Sequence, residues 1–431
     1  MSRFEQVARA LRTRVSVVGR PVIRNTLADR MTQLRVPAVG LAVLEDGGSV
    51  SSRAWGATPG TLFQAASISK PVTAMAVGRL AADGVIDIDR DVNTYLRTWQ
   101  LPDGDGVTVR RILSHSAGLS VHGFPGYALG ADIPSIGQIL DGAPPSNSDA
   151  VRVVLPPGET YQYSGGGFTV LQLLLTEASE EPFAGLMRRT VLAPLGMDQS
   201  TYEQPLPPRL HPQAAIGHDD NGQPLAGGWR IHPEQAAAGL WTPPHELIGV
   251  AGEMIRPGRV LDEAGRDKML VPQTNDRAGL GWGLDGSWFS HGGANAGFRC
   301  DLAGSVPHGR AAVVMTNGDA GGALCGELLA AVAEVFGWPD YLRERSAIDL
   351  DAARLDEMAG DYAVGPELTL SIRRAGDSLV GSAPGVPEGE LYASTPTDLY
   401  RLDLDAEIKW SGDSVTISMG GLELKAVRKG S

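Results

Sequence analysis

The stretch from Thr61 to Gly84 constrains the fold of this chain more than any other part of its sequence. Leu62 to Ala65 is a short apolar run that predicts a strand, and Pro71 to Ala82 is an apolar run that predicts a helix. Ser67 lies where that helix should begin, at the N-cap position that serine favours. If the junction is helical, a spacing of three places Ser67 and Lys70 on the same face.

A hydroxyl beside an amine at the start of a helix can carry out nucleophilic chemistry. Serine becomes a nucleophile only when a base accepts its proton, and a lysine is such a base only when its surroundings lower its pKa. Of the five lysines in the sequence, Lys70 is the one that follows a serine by three residues. The alternative is an ordinary helix N-cap with a lysine nearby by chance.

Composition excludes several classes of function. The chain has 431 residues, of which 42% are hydrophobic and 20% charged, as expected of a globular protein of two domains. A formal net charge of -13 disfavours nucleic acid and acidic membrane surfaces as partners. The two cysteines, Cys300 and Cys325, lie in no metal-binding spacing. Because nucleophilic chemistry by a serine and a lysine needs no metal or cofactor, we expect neither.

The N-terminus has no apolar signal region and no apolar run reaches 18 residues, so we expect no membrane span and a cytoplasmic location. A mature chain that had lost a secretory signal would look the same. The sequence leaves the oligomeric state open.

Strand and helix patterns predict an α+β catalytic domain over residues 1–340. A predicted helix and hairpin at the beginning and three strands and a helix near the end favour one antiparallel sheet flanked by helices, with a helical subdomain between. The predicted strands are 37–44, 49–55, 281–289, 296–304 and 310–316. The Gly- and Pro-rich segment 120–150 predicts a long ordered loop, and such loops are usually functional.

Beyond residue 350 the pattern changes to short alternating runs separated by turn residues. These runs predict a small all-β domain, a barrel or a sandwich, over residues 350–431. They are 368–373, 378–382, 390–394, 399–404, 407–410, 414–419 and 422–427.

A serine–lysine enzyme needs a second proton carrier and a strand edge that aligns the substrate. Tyr163, in a glycine-flanked turn, is the candidate carrier, because a phenol beside an ammonium ionises more easily than usual. His291-Gly292-Gly293 enters a predicted strand, and its glycines would let a substrate approach. The alternatives are a tyrosine packed at a helix start and a hairpin turn with an exposed histidine.

Taken in order, the segments Ser67–Lys70, Tyr163–Gly165 and His291–Gly293 resemble the three motifs of the class C β-lactamase-like, penicillin-binding-protein-like serine hydrolases. That family includes family VIII esterases and D-aminopeptidases. The segments Leu113–Leu119 and Ala237–Trp241 also resemble family segments. The resemblance covers about residues 20–335, and residues 350–431 resemble a lipocalin-like β-domain appended to some members.

The resemblance implies catalytic roles for four residues. Ser67 would be the nucleophile, Lys70 and Tyr163 would share the acid and base work, and His291 would stand in place of the lysine of a K-T-G motif. Backbone N–H groups of Ser67 and Ala294 would form the oxyanion hole.

Substrate-binding positions follow from the same resemblance: Gly165, Gly293, Ala294 and Trp241. Trp241 and the loop from 120 to 145 would wall the cleft, although core packing is the alternative for Trp241. His115 is expected to be a structural hydrogen-bonding residue.

Two departures from the family pattern affect the expected substrate. Gly165 replaces an asparagine whose amide contacts the substrate, and His291, mostly neutral at pH 7, replaces a fixed positive charge. Arg299 could supply a substitute charge, but a solvated arginine at a strand edge is the simpler interpretation. Both departures favour esters or simple amides over β-lactams.

The sequence therefore predicts a serine hydrolase that acts on small-molecule or peptide esters or amides through a Ser67 acyl-enzyme. The alternatives are an acyltransferase or peptide-cyclising thioesterase, a D-amino-acid-specific peptidase or weak β-lactamase, and a non-catalytic binding protein.

Overall fold

A computed structural model describes residues 1–45, 48–364, 368–384, 386–404, 406–419 and 422–429. The chain divides into two compact units, one of Met1–Arg9 with Thr26–Trp338 and the other of Ala10–Asn25 with Pro339–Ser431. Residues 10–25, which the sequence analysis placed in the first domain, thus belong to the second unit. A short strand at Val15–Val17 pairs in parallel with Arg343–Arg345, a contact between distant parts of the chain. The domain boundaries at 340 and 350 stay predictions.

The strands are, in chain order, β1 (Val15–Val17), β2 (Val39–Leu44), β3 (Val50–Trp55), β4 (Phe63–Gln64), β5 (Trp241–Thr242), β6 (Gly283–Asp285), β7 (Trp288–Asn295), β8 (Phe298–Ser305), β9 (Arg310–Thr316), β10 (Arg343–Arg345), β11 (Gly360–Val364), β12 (Leu368–Ala375), β13 (Ser378–Ala383), β14 (Val386–Ala393), β15 (Asp398–Tyr400), β16 (Ala406–Ser411), β17 (Ser414–Met419) and β18 (Leu422–Arg428).

The α-helices are α1 (Arg3–Val7), α2 (Leu27–Gln33), α3 (Ser69–Ala82), α4 (Val109–Leu113), α5 (Ile136–Asp141), α6 (Gly165–Ser179), α7 (Phe183–Met187), α8 (Ala193–Leu195), α9 (Gln235–Ala238), α10 (Pro244–Ile255), α11 (Glu263–Leu270), α12 (Gly321–Phe336) and α13 (Ala352–Met358).

The described residues of the first unit form a six-stranded antiparallel sheet in the order β3-β2-β9-β8-β7-β6. Every residue of β2 is buried, as expected of a central strand covered on both faces. The helices α10 and α12 pack against the sheet. This arrangement confirms the predicted antiparallel sheet flanked by helices.

The helix that follows Ser67 lies in the centre of the first unit. In α3, Ser69 to Val77 are all buried, and a helix that is apolar on every side is a core helix. Its neighbours include α9, α11 and the turn that precedes it. Its amino end is therefore held by packing from several directions.

In the second unit, the described strands β11 to β18 close into an antiparallel barrel. The predicted all-β domain is thus a barrel. The sequence analysis missed β11, because Tyr362 is its one large buried apolar residue. Side chains fill the interior, as expected of a barrel of this size, and they include Tyr362, Ile372, Leu379, Leu399, Ile408 and Val415.

The predicted strand 281–289 is a hairpin, in which β6 and β7 are joined by the turn at Gly286 and Ser287. His291 consequently lies in the middle of β7 instead of at a strand entry.

Among the described residues, no helix combines the length and apolar character needed to cross a bilayer. The same residues contain no group of three metal-ligating side chains that could hold an ion.

Candidate active site

The nucleophile candidate lies on a strained turn. Ala66, Ser67 and Ile68 form one turn of 3-10 helix between β4 and α3. Ala66 has φ 46, a left-handed conformation that costs a non-glycine residue about 1 kcal/mol. The predicted N-cap role of Ser67 is wrong, because Ile68 occupies that position and no side chain caps α3. The Ser67 hydroxyl is thereby left available, and its side chain is half-buried.

The predicted contact between Ser67 and Lys70 is present. Lys70 Nζ lies 2.9 Å from Ser67 Oγ, because residues three apart lie above one another in this helical junction. Lys70 is only 2% exposed. Desolvation of the ammonium lowers the pKa of Lys70 to about 7, so a large fraction of the amine is neutral near pH 7.

A backbone carbonyl fixes the other side of this amine. Lys70 Nζ donates to the carbonyl oxygen of Ala237, 2.9 Å away at the end of α9. Thr73 Oγ1 lies 3.2 Å from the carbonyl oxygen of Ala236, and Ser69 Oγ accepts from the N–H of Leu240. The segment around α9, which resembles a family segment, thus fixes the position of the Lys70 amine through hydrogen bonds to its backbone.

Tyr163 is close to both catalytic candidates. Lys70 Nζ lies 5.0 Å from the centroid of the Tyr163 ring. Burial raises the pKa of Tyr163 to about 12, and the neighbouring Ser67 side chain opposes the shift only in part. The prediction that this phenol ionises easily is therefore wrong. Tyr163 therefore stays protonated at neutral pH, whereas Lys70 is partly deprotonated there and is the better candidate for the base.

His115 forms structural hydrogen bonds, as predicted, and they hold the residues on either side of Tyr163. Its Nδ1 accepts the N–H of Ser164 at 3.1 Å, and its carbonyl accepts the N–H of Gln162 at 2.6 Å. Its ring lies 4.2 Å from that of Tyr163, centroid to centroid. Desolvation lowers the pKa of His115 well below its usual range, so the imidazole stays neutral.

His291 faces the same site from the middle of β7. Its ring centroid lies 6.3 Å from that of Tyr163. Its Nδ1 is 2.7 Å from the carbonyl of Gly292, and since a carbonyl only accepts, the proton is on Nδ1. Desolvation and the Lys70 charge lower the pKa of His291 to about 4. His291 is therefore neutral at pH 7, as the sequence analysis expected.

The register of β7 directs one backbone N–H group toward the site. Asn295 pairs with Phe298 across a two-residue hairpin loop, and such hairpins close on a hydrogen-bonded pair. Pairs alternate along an antiparallel ladder, so Ala294 opposite Arg299 is a non-hydrogen-bonded pair. The N–H of Ala294 therefore points away from β8, on the side where β6 ends at Gly283.

Gly293 is needed for packing. A Cβ there would lie 2.5 Å from the carbonyl oxygen of Ala65 and would also collide with Cys300 Sγ. The missing side chain lets β7 approach the turn Ala66–Ile68 closely; this turn, which contains Ser67, is called the nucleophile turn below. Contact between two elements of the site accounts for the glycine at this position. Its expected role in substrate binding stays a prediction.

A side chain at Gly165 would make tight contacts with the neighbouring loop. A Cβ would lie 3.0 Å from the carbonyl oxygen of His122 and 3.1 Å from the Phe124 ring. The N–H of Gly165 donates to that same carbonyl. The loop from 120 to 145 therefore packs against Gly165, the position at which the family motif has an asparagine.

Two further expectations are corrected by burial and pairing. Trp241 is fully buried and contacts the rings of Trp229 and Phe298, so it is a core residue and does not line the cleft. Arg299 is paired with Asp319 at 2.8 Å, so its charge is engaged within the fold.

A cavity of about 200 Å³ is lined by two of the catalytic candidates, Tyr163 and His291, and Ser67 and Lys70 are not part of its lining. Its lining includes Tyr161, Tyr163, Arg277, Trp282 and His291. Sequence reasoning missed Arg277, Trp282 and the Ala237 carbonyl, because a loop cation, an isolated indole and a backbone oxygen form no recognisable motif.

A family model described as Beta-lactamase matches residues 23–335 of the chain. A penicillin-binding protein of Bacillus subtilis (strain 168) is 22% identical over 414 residues, which cover 85% of this chain and 88% of that protein.

Two solved structures share the fold. The octameric penicillin-binding protein homologue from Pyrococcus abyssi has a TM-score of 0.61 at 20% identity, over 93% of this chain and 98% of its own. The D-amino acid amidase from Ochrobactrum anthropi SV3 has a TM-score of 0.60 at 21% identity, over 72% of this chain and 95% of its own.

Proposed function

We propose, from the premise that the chain belongs to the Beta-lactamase family, that it is a serine hydrolase that cleaves ester or amide bonds through a Ser67 acyl-enzyme. The observation that carries this proposal is the 2.9 Å contact between Ser67 Oγ and the buried Lys70 amine. A neutral lysine within hydrogen-bond distance of a serine hydroxyl can accept its proton as the hydroxyl attacks a carbonyl carbon.

The proposed oxyanion site is formed by the N–H groups of Ser67 and Ala294. The register of β7 supports this assignment, since it directs the Ala294 N–H away from β8. Two backbone donors aimed at a developing oxyanion lower the barrier by about 3 kcal/mol each. Tyr163, protonated at neutral pH, would donate a proton to the leaving group. When water attacks the acyl-enzyme, it would give a proton to the Tyr163 phenolate, and Lys70 would return its proton to Ser67 Oγ as the bond to the acyl group breaks.

The surroundings of Gly165 and His291 support esters and simple amides as substrates. A side chain at Gly165 would press against His122 and Phe124, and His291 is neutral. Substrates that depend on both of those interactions, such as penicillins, should turn over slowly. Short-chain aryl esters need neither interaction and should be cleaved. The likeness in fold to a D-amino acid amidase makes D- and L-amino acid amides the next substrates to compare.

Labelling with a fluorophosphonate probe tests the nucleophile without knowledge of the natural substrate. We expect the native chain to be labelled and Ser67→Ala to remain unlabelled while it stays folded. Ser305→Ala is the matched control, because Ser305 is a buried serine at the far end of β8, and it should keep its labelling.

Labelling of Ser67→Ala would contradict the proposed nucleophile. A folded native chain that resists the probe would support a non-catalytic binding protein. Product analysis of aryl ester cleavage with an amine present would then separate hydrolysis from acyl transfer, since transfer yields an amide.

A further inference from the structure

One side-chain amide contact connects the separate parts of the proposed site. Asn295 Nδ2 donates to Gln64 Oε1 at 2.7 Å and to the carbonyl oxygen of Ala238 at 3.2 Å. Asn295 is 5% exposed and Gln64 is 1% exposed, so water does not compete strongly for these bonds. The contact joins residues that are far apart in the sequence.

The orientation of both amides is fixed by their partners. Gln64 Nε2 donates to the carbonyl of Arg230 at 2.7 Å, which leaves Oε1 to face Asn295. Both acceptors around Asn295 Nδ2 are oxygens, so a flipped Asn295 amide would place its own oxygen against them. Either flip would exchange hydrogen bonds for repulsion between buried oxygens.

Each end of this bridge lies next to a proposed catalytic group. Asn295 directly follows Ala294, Gln64 precedes Ser67 by three residues, and Ala238 directly follows the carbonyl that holds Lys70. The Asn295 amide group therefore bonds to the strand before the nucleophile and to the end of α9. Asn295 itself forms the end of β7.

We infer that Asn295 and Gln64 are positioning residues that hold the Ala294 N–H at its distance from Ser67. This inference rests on the proposed function. Without the bridge, the end of β7 would lose its polar link to β4 and α9, and a displacement of about 1 Å at a reacting group costs about 100-fold in rate. The substrate would still bind in the cavity, so the loss should fall on the chemical step.

The test measures the phosphonylation of Ser67, because the phosphonyl oxygen needs the same N–H donors as a substrate oxyanion. Saturation kinetics give the limiting rate constant and the half-saturating probe concentration. For Asn295→Ala we expect the limiting rate constant to fall by about 10-fold or more, with little change in half-saturation. The apparent pKa of labelling should stay near that of the native chain, because Lys70 keeps its contacts.

Asn317→Ala is the matched control for the loss of a buried asparagine. Asn317 is 4% exposed, accepts the N–H of Ala38 at 2.7 Å and donates to the carbonyl of Ile216 at 2.8 Å. It should lose stability and keep its limiting rate constant. Gln64→Ala should resemble Asn295→Ala, and the double variant should lose little more than either single one, since both remove the same bridge.

Native-like labelling in folded Asn295→Ala, or an equal loss in Asn317→Ala, would overturn the inference. If Asn295→Ala does not fold, Gln64→Ala decides the outcome by the same criterion. The proposed function would fail in a different way, because the native chain would not be labelled.

Discussion

At the scale of single residues, the proposed chemistry depends on the protonation of one buried amine. Lys70 donates to a serine hydroxyl and to a backbone carbonyl, and desolvation lowers its pKa to about 7. Tyr163, by contrast, keeps its proton because burial raises its pKa to about 12. In the proposed mechanism, the two groups that were expected to share the acid and base work therefore take separate roles, Lys70 as the base and Tyr163 as the acid.

The pKa of Lys70 predicts how activity changes with pH. The neutral amine is the active form, so kcat/KM should rise with pH, with an apparent pKa of about 7, and then reach a plateau. Below that pKa the rate should fall about tenfold for each pH unit. Initial rates with a neutral aryl ester between pH 5 and pH 9 measure the profile.

The variant Tyr163→Phe separates the two groups. It should be slower throughout and keep the same acidic limb, because Lys70 still titrates. If the acidic limb of the kcat/KM profile disappears in Tyr163→Phe, the group that titrates near pH 7 would be Tyr163 and not Lys70.

At the scale of elements, the site depends on how closely β7 approaches the nucleophile turn. Gly293 faces the carbonyl of Ala65, and Cys300 Sγ donates to that same carbonyl at 3.0 Å. The close approach of a strand to a strained turn is the reason a glycine is required there.

Gly293→Ala should therefore separate β7 from the turn. Because a methyl group would lie 2.5 Å from a backbone oxygen, we expect a loss of about 100-fold in kcat/KM and a lower melting temperature. At Gly292 the nearest atom to a Cβ is 3.9 Å away, so Gly292→Ala should lose much less. Similar losses in both variants would show that the approach of β7 is not limited by Gly293.

At the scale of the whole molecule, each compact unit has its own buried core. Tyr362 connects three parts of the barrel unit. Its hydroxyl donates to the carbonyl of Met358 and accepts from Trp410 Nε1 and Arg428 Nη2. Its side chain is fully buried. The first unit includes the proposed catalytic residues and its own large core.

Tyr362→Phe should lower the stability of the barrel unit by about 1–3 kcal/mol, because buried donors lose their acceptor. Hydrogen exchange of the barrel amides should accelerate, and exchange of the central strands β2 and β9 should stay unchanged. Tyr392→Phe is the matched control, since the hydroxyl of Tyr392 bonds only to Glu390 among the described residues and this hydrogen bond is exposed. Equal acceleration in both units would contradict the predicted division into two domains.

The sequence by itself determined what is local or periodic. A spacing of three joined Ser67 to Lys70, the strand and helix patterns predicted the antiparallel sheet and the all-β region, and the order of three motifs indicated the family. These features depend on the pitch of a helix and the alternation of a strand, which neighbouring residues set.

Only the tertiary structure decided which distant groups meet. The carbonyl of Ala237, the amide bridge of Asn295 and the burial of Trp241 depend on contacts between elements that lie far apart in the chain. Such contacts follow from how elements pack, and a backbone oxygen or a single amide carries no pattern that identifies its partner. The lowered pKa of Lys70 has the same origin, since desolvation is a property of the folded surroundings.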